Sequence, residues 1–336
     1  MAQKRLGIHT VKLNNPPSII STYSIVGPKE GEGPLGKYFD SILEDEFWGE
    51  KTWEKSETKI QRECVTNCIN KVKLSFDDIH YLFAGDLINQ CTPSAFGNRE
   101  TNIPFFGLFG ACSTFVEGMC LGSMLVDGDF ADNVVFSTSS HFCSAEKQFR
   151  FPLELGNQRP PSAQWTVTGS GSAILSNTGK GPFVTHITTG KIVDMGIKDA
   201  NNMGAAMAPA AADTMYQHFQ DTGRSPSYYD LILTGDLGYI GKDIVIDLMQ
   251  SRGYNIKNNY NDCGVLIFDK EKQDTHSGGS GCGCVATTFS GYIYNQLQSG
   301  KLKRVLLIAT GALMSPTTAQ QQESIPGIAH AVSIEL

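Results

Sequence analysis

Apolar and polar positions follow two rhythms along this chain, and each change of rhythm marks a change of element. From Glu54 to Lys73, the apolar residues Ile60, Cys64, Val65, Cys68, Ile69 and Val72 recur at helical spacing and predict an amphipathic helix. Ile79 to Ala84, apolar but for His80, reads as a buried strand closed by Gly85-Asp86-Leu87-Ile88-Asn89. A short helix is expected over Thr92 to Glu100, then a strand over Ile103 to Phe109. Ser113 to Asp127 is long enough for about four helical turns. Glu117 and Asp127 are its only charges, so this helix should be buried on most sides, and Gly118 and Gly122 would let another backbone approach. Asn133 to Thr138, Thr166 to Ser176 and Phe183 to Asp194 read as strands. Gly204 to Gln220 reads as an Ala-rich helix interrupted early by Pro209.

The pattern then returns. Tyr229 to Leu237 has the shape of His80 to Leu87, and Gly-Asp-Leu is identical in the two. Gly281-Cys282-Gly283-Cys284 matches Phe109-Gly110-Ala111-Cys112, with Cys284 opposite Cys112. A helix over Val285 to Ser299 and a strand over Lys303 to Thr310 follow in step, and Ile328 to Leu336 would be the last strand. Chance seldom copies strand, turn, helix and strand together, so the repeat is evidence of architecture. It predicts an α/β protein of two pseudo-twofold-related halves with mixed sheets packed in layers, residues 1–195 and 196–336.

Composition narrows the partners. A formal net charge of −7 gives no basic field, which disfavours nucleic acid. No apolar run approaches the roughly 20 residues of a membrane span, and Met1 to Pro17 lacks the apolar core of a signal peptide. Nine cysteines without an export signal read as reduced thiols in an intracellular compartment. Gly31 to Lys37 comes close to a phosphate-binding loop, but Pro34 interrupts it and Tyr38 stands where a Ser or Thr hydroxyl is needed, so it reads as a surface loop.

Cys112 carries the candidate chemistry. It falls on a tight turn at the start of the buried helix, where free N–H groups and the helix dipole would favour a thiolate or an anionic ligand. A buried core cysteine is the competing reading.

A duplicated α/β chain with a cysteine opening a buried helix in its first half resembles the thiolase superfamily, which implies a thiolase-like five-layer fold. The resemblance is closer at Gly110-Ala111-Cys112-Ser113-Thr114, Gln148-Phe149-Arg150-Phe151-Pro152, Val167-Thr168-Gly169-Ser170-Gly171, Met207 to Thr214 and Ile328-Ala329-His330. With the two Gly-Asp-Leu turns, these are similar to the SpoVAD family of sporulation proteins. That family binds dipicolinic acid (pyridine-2,6-dicarboxylate) and belongs to the membrane machinery that moves dipicolinate and calcium into the developing spore. The resemblance therefore implies a dipicolinate-binding component with no cofactor. Calcium would serve as counter-ion, and the partners would be the other SpoVA membrane proteins. It also implies a peripheral place at the spore inner membrane and leaves open a homodimer through Ile103 to Leu108.

Acyl transfer, the chemistry of the wider superfamily, needs a general base and donors for an oxyanion. The strand that ends in a histidine in ketoacyl synthases ends here in Gly235-Asp236. The asparagine usual before the second long helix is missing, and His330 holds the place of the second thiolase cysteine. A non-catalytic binding protein is therefore expected. A thiolase-like acyltransferase using Cys112 and a non-binding membrane scaffold are the alternatives. The expected ligand set is Cys112 beneath the ring and His330 beside it, His141 as a further donor, Arg150 as a carboxylate clamp, and Asp86 and Asn89 on the pocket wall. For Asp86 the competing reading is turn capping. Cys284 is expected to be a structural relic of the duplication.

Overall fold

The computed structural model describes residues 3–149 and 158–336. Its main strands fall into two runs of the same design. In the first, Phe105–Gly107, Tyr81–Gly85 and Asn133–Ser140 lie parallel, followed by antiparallel Gly169–Ser176 and Ser18–Val26. In the second, Tyr260–Asp262, Leu231–Thr234 and Arg304–Ala312 lie parallel, followed by antiparallel Gly327–Glu335 and Phe183–Thr189. The two mixed runs join where Ser18 pairs with Phe183, so hydrogen bonding is continuous from one outer edge to the other. Phe183–Thr189 precedes residue 196 in the chain yet pairs within the second run.

Helices fill the remaining layers. Trp53–Lys71, capped by the Thr52 hydroxyl, covers the outer face of the first run. Met203–Thr222, capped by Asn202 and ended by Gly223 at φ 67°, covers the second together with Gly238–Ser251. Between the sheets run Thr114–Asp127 and the helix that begins at Cys282. This gives the five layers that the thiolase resemblance implies. A Cβ at Gly118 would come within 3.2 Å of Phe136, and one at Gly122 within 3.1 Å of Leu175, so these glycines set how closely the inner helix sits on its sheet.

Two expectations change. The apolar run Ile103 to Phe109 forms only the short strand Phe105–Gly107, and that strand is an exposed edge. The second inner helix starts at Cys282 rather than Val285 and contains a π-helical turn, Thr288–Ile293. Cys284 therefore lies within a helix, whereas Cys112 precedes Thr114–Asp127, and the sequence register of the two cysteines does not carry over into space.

Candidate functional site

Both inner helices begin near the middle of the molecule, and their first turns meet there. Ala111 turns the chain with φ 50°, a left-handed conformation that costs a non-glycine residue energy and must be held by its surroundings. The hold comes from the other half: the Cys282 thiol donates to the Ala111 carbonyl at 3.0 Å. Cys112 follows, only 4% exposed, with the Cys282 thiol and the Asp236 carboxyl against its sulfur.

This setting reverses the expected thiolate. Hydrogen bonding with Cys282, burial and the Asp236 carboxylate together push the Cys112 thiol well above its ordinary value. The helix start offers little to oppose them. The Ser113 and Thr114 amides already donate to the Gly110 and Ala111 carbonyls, at 3.1 and 3.3 Å. Asp236 is fully buried. It accepts from the Thr310 hydroxyl at 2.8 Å, the Gly281 amide at 2.9 Å and the Ser280 hydroxyl at 3.2 Å, while burial raises its own pKa.

A narrow crevice of about 40 Å³ opens over Cys112. Leu87, Phe109, Ala145, Phe149, Met203 and Met314 give it apolar walls, and Thr166 and Ser280 supply hydroxyls. Glu146 also reaches the wall, and among the described residues the lining holds no Lys, Arg or His.

Of the residues read from sequence, Cys112 lies in the crevice and the others that are described do not line it. His330 sits on the strand Gly327–Glu335, where its Nδ1 accepts from the Gly190 amide at 3.3 Å, and burial lowers its pKa to about 4. His141 is a satisfied core histidine. Its Nδ1 accepts from the Cys143 amide at 3.2 Å, so Nε2 carries the proton and donates to the Glu46 carbonyl at 2.9 Å. Burial depresses its pKa, which keeps the ring neutral. Asp86 caps its own turn, accepting from the Ile88 amide at 2.8 Å and the Ser94 amide at 2.9 Å. Asn89 is exposed beyond the crevice wall, and its amide donates to the Gln148 side chain at 3.0 Å. Arg150 lies outside the described residues. Among the described residues no group of three or more metal-ligating side chains is assembled.

Asp236 and Cys282 were the residues sequence reasoning passed over. The repeated Gly-Asp-Leu turn was the available signal for Asp236. For Cys282 nothing local distinguished it from Cys284, because only the starting point of the second inner helix decides which sulfur reaches Cys112.

Solved structures share this fold. A histidine-to-asparagine variant of OleA from Xanthomonas campestris aligns with a TM-score of 0.62 at 12% identity, over 97% of this chain and 100% of that chain. The 3-oxoacyl-[acyl-carrier-protein] synthase III of Aquifex aeolicus VF5 aligns with a TM-score of 0.56 at 12% identity, over 95% and 100%. At such identity they establish the thiolase-like fold alone. In sequence, the stage V sporulation protein AD (SpoVAD) family matches residues 7–335. Stage V sporulation protein AD of Bacillus subtilis (strain 168) is 46% identical over 332 residues, 99% of this chain and 98% of that protein. The chain belongs to the stage V sporulation protein AD family.

Proposed function

We propose that this sporulation protein is a non-catalytic binding component that holds dipicolinate in the crevice over Cys112 and serves its movement into the spore. The observation that carries the reading is the setting of Cys112. Its sulfur faces a second thiol and a carboxyl, and these keep it protonated. A nucleophile for acyl transfer needs a base that removes this proton. The residue at the end of the strand Leu231–Thr234 that reaches Cys112 is instead Asp236, whose negative charge opposes thiolate formation.

The crevice offers apolar walls to a ring, with the Thr166 hydroxyl as a donor for a carboxylate oxygen. A dianion beside Asp236 would be repelled unless its charge is balanced. Calcium as the ligand's counter-ion answers this, because carboxylate oxygens suit that ion. No helix among the described residues is long and apolar enough to cross a membrane. Attachment to the spore inner membrane would then run through the other SpoVA membrane proteins. The exposed edge strand Phe105–Gly107 is the surface through which we expect two copies to pair.

The test is calorimetric titration of the purified full chain with dipicolinate, with and without calcium, beside Cys112→Ala and Thr166→Ala. Saturable binding weakened in both variants supports the placement. Equal binding by all three proteins overturns it. Covalent labelling of Cys112 by acyl-CoA would overturn the non-catalytic reading, and absence of any binding would favour a scaffold.

A further inference from the structure

Two chain segments line the Cys112 crevice and then run on into a second hollow. On one segment Met203 lines the first, while Lys198 and Ala200, just upstream, line the second. On the other segment Ala312 lines the first, and residues from Thr318 to Ile325 line the second. Met314 lines both. The hollows, of about 40 and 240 Å³, therefore adjoin at the Met314 side chain.

The frame around this partition is fixed. The Ile325 amide donates to the Ile197 carbonyl at 2.7 Å, and the Leu313 amide to the Pro326 carbonyl at 2.8 Å. Lys198 Nζ donates to the Gln322 carbonyl at 2.8 Å. Ser315 caps the short helix Pro316–Gln320 with a reciprocal pair of bonds to Thr318. The Met314 side chain is different. It is 7% exposed, unbranched and without a strong polar group, so it has more alternative rotamers than a branched neighbour would.

We propose that the two hollows are one passage with two mouths and that Met314 is its gate. With the side chain in its present rotamer the passage is divided. When it swings aside, a molecule over Cys112 can leave through the outer mouth. The ligand class rests on the reading above: a small planar aromatic carboxylate. The Lys198 ammonium stands on the outer rim, where it draws an anion, and Glu323 on the same rim moderates that attraction. A binding protein with two mouths can accept its ligand at one and deliver it at the other, as transport requires.

The test needs no assumption about the ligand. Methyl methanethiosulfonate, a small thiol reagent, is applied to the full chain, and modification is read residue by residue by peptide mass spectrometry. Cys120, buried in the core, reports any general loosening. Met314→Ala is expected to raise the rate at Cys112 severalfold with Cys120 unchanged. Adding Ala319→Trp, an exposed rim position of the second hollow, should return the rate toward that of the unaltered protein. Met314→Val, a milder shortening, should raise the Cys112 rate by a smaller factor that Ala319→Trp again removes, which keeps the test decisive if Met314→Ala fails to fold. A Cys112 rate indifferent to Ala319→Trp in both backgrounds overturns the passage. Dipicolinate should protect Cys112 in the unaltered protein. Gating without protection would overturn the ligand class while the passage stands.

Discussion

The two Gly-Asp-Leu turns, at Asp86 and Asp236, are identical in sequence and do different work. The residue across each turn on the neighbouring edge strand explains why. In the second half Thr234 lies opposite Asp262. The Asp262 carboxylate accepts from the Leu237, Gly238 and Gly264 amides, each at 2.9 Å, and from the Thr234 hydroxyl at 2.7 Å. It caps the turn, and Asp236 is left to face Cys112. In the first half Ala84 lies opposite Gly107, which has no side chain to offer. Asp86 must therefore cap its own turn through Ile88 and Ser94. Duplication supplied two carboxylates, and one residue on each edge strand decided which became free for the site.

The largest effect should come from removing the cap. Asp262→Ala leaves three buried amides without their acceptor and should destabilise the fold by on the order of 4 kcal/mol, read from the urea midpoint. A loss under about 1 kcal/mol would mean that Asp236 can take over the capping and that the division of labour is not fixed.

Altering each turn carboxyl in its own half sharpens the contrast. Asp86→Ala should cost about 2 kcal/mol of stability, because it removes a buried turn cap. Asp236→Asn should act chiefly on chemistry. Without its negative charge the Cys112 thiol should titrate at lower pH, seen as a shift in the pH profile of alkylation at Cys112. An unmoved profile would show that Cys282 and burial alone hold the proton.

The first turn has a further acidic neighbour. Glu57 is fully buried, accepts from the Ser139 hydroxyl at 3.1 Å and the Ser144 hydroxyl at 2.7 Å, and lies beside Asp86. Burial, then mutual repulsion, pushes Glu57 up to about 8, and burial pushes Asp86 up to about 6. Both folded values exceed the unfolded ones of 4.5 and 3.8, so the folded chain holds more protons between them. Stability from this pair is thus fully present below about pH 4 and is lost as pH rises toward about 8. Glu57→Gln should flatten that decline in a series of thermal melts. The same slope in the variant would assign it to Glu30 or Asp262, whose pKa values burial raises to about 8 and about 7.

The edge strands differ as well. Phe105–Gly107 is exposed along its length, whereas Tyr260 and Asp262 on the matching strand are buried. Phe106→Glu removes a ring stacked on Phe83 and should cost about 1 kcal/mol of stability while shifting any dimer toward monomer in analytical ultracentrifugation. An unchanged dimer would move the interface elsewhere.

The sequence by itself determined the architecture. Helical spacing from Ile60 to Val72, the uncharged run after Cys112 and the copied strand-turn-helix-strand order are properties of neighbouring residues, and local patterning preserves them. It also pointed to Cys112. What it could not determine was the company Cys112 keeps. Asp236 and Cys282 come from the other half, and His330 is nearer in family likeness than in space. Sulfur and carboxyl meet only because a helix starts at Cys282 and because Asp262 relieves Asp236 of capping. These are contacts between distant segments, set by close packing across the pseudo-twofold axis, and no local pattern records them. The same holds for Met314, an unremarkable residue in the chain that acquires meaning only where two hollows meet.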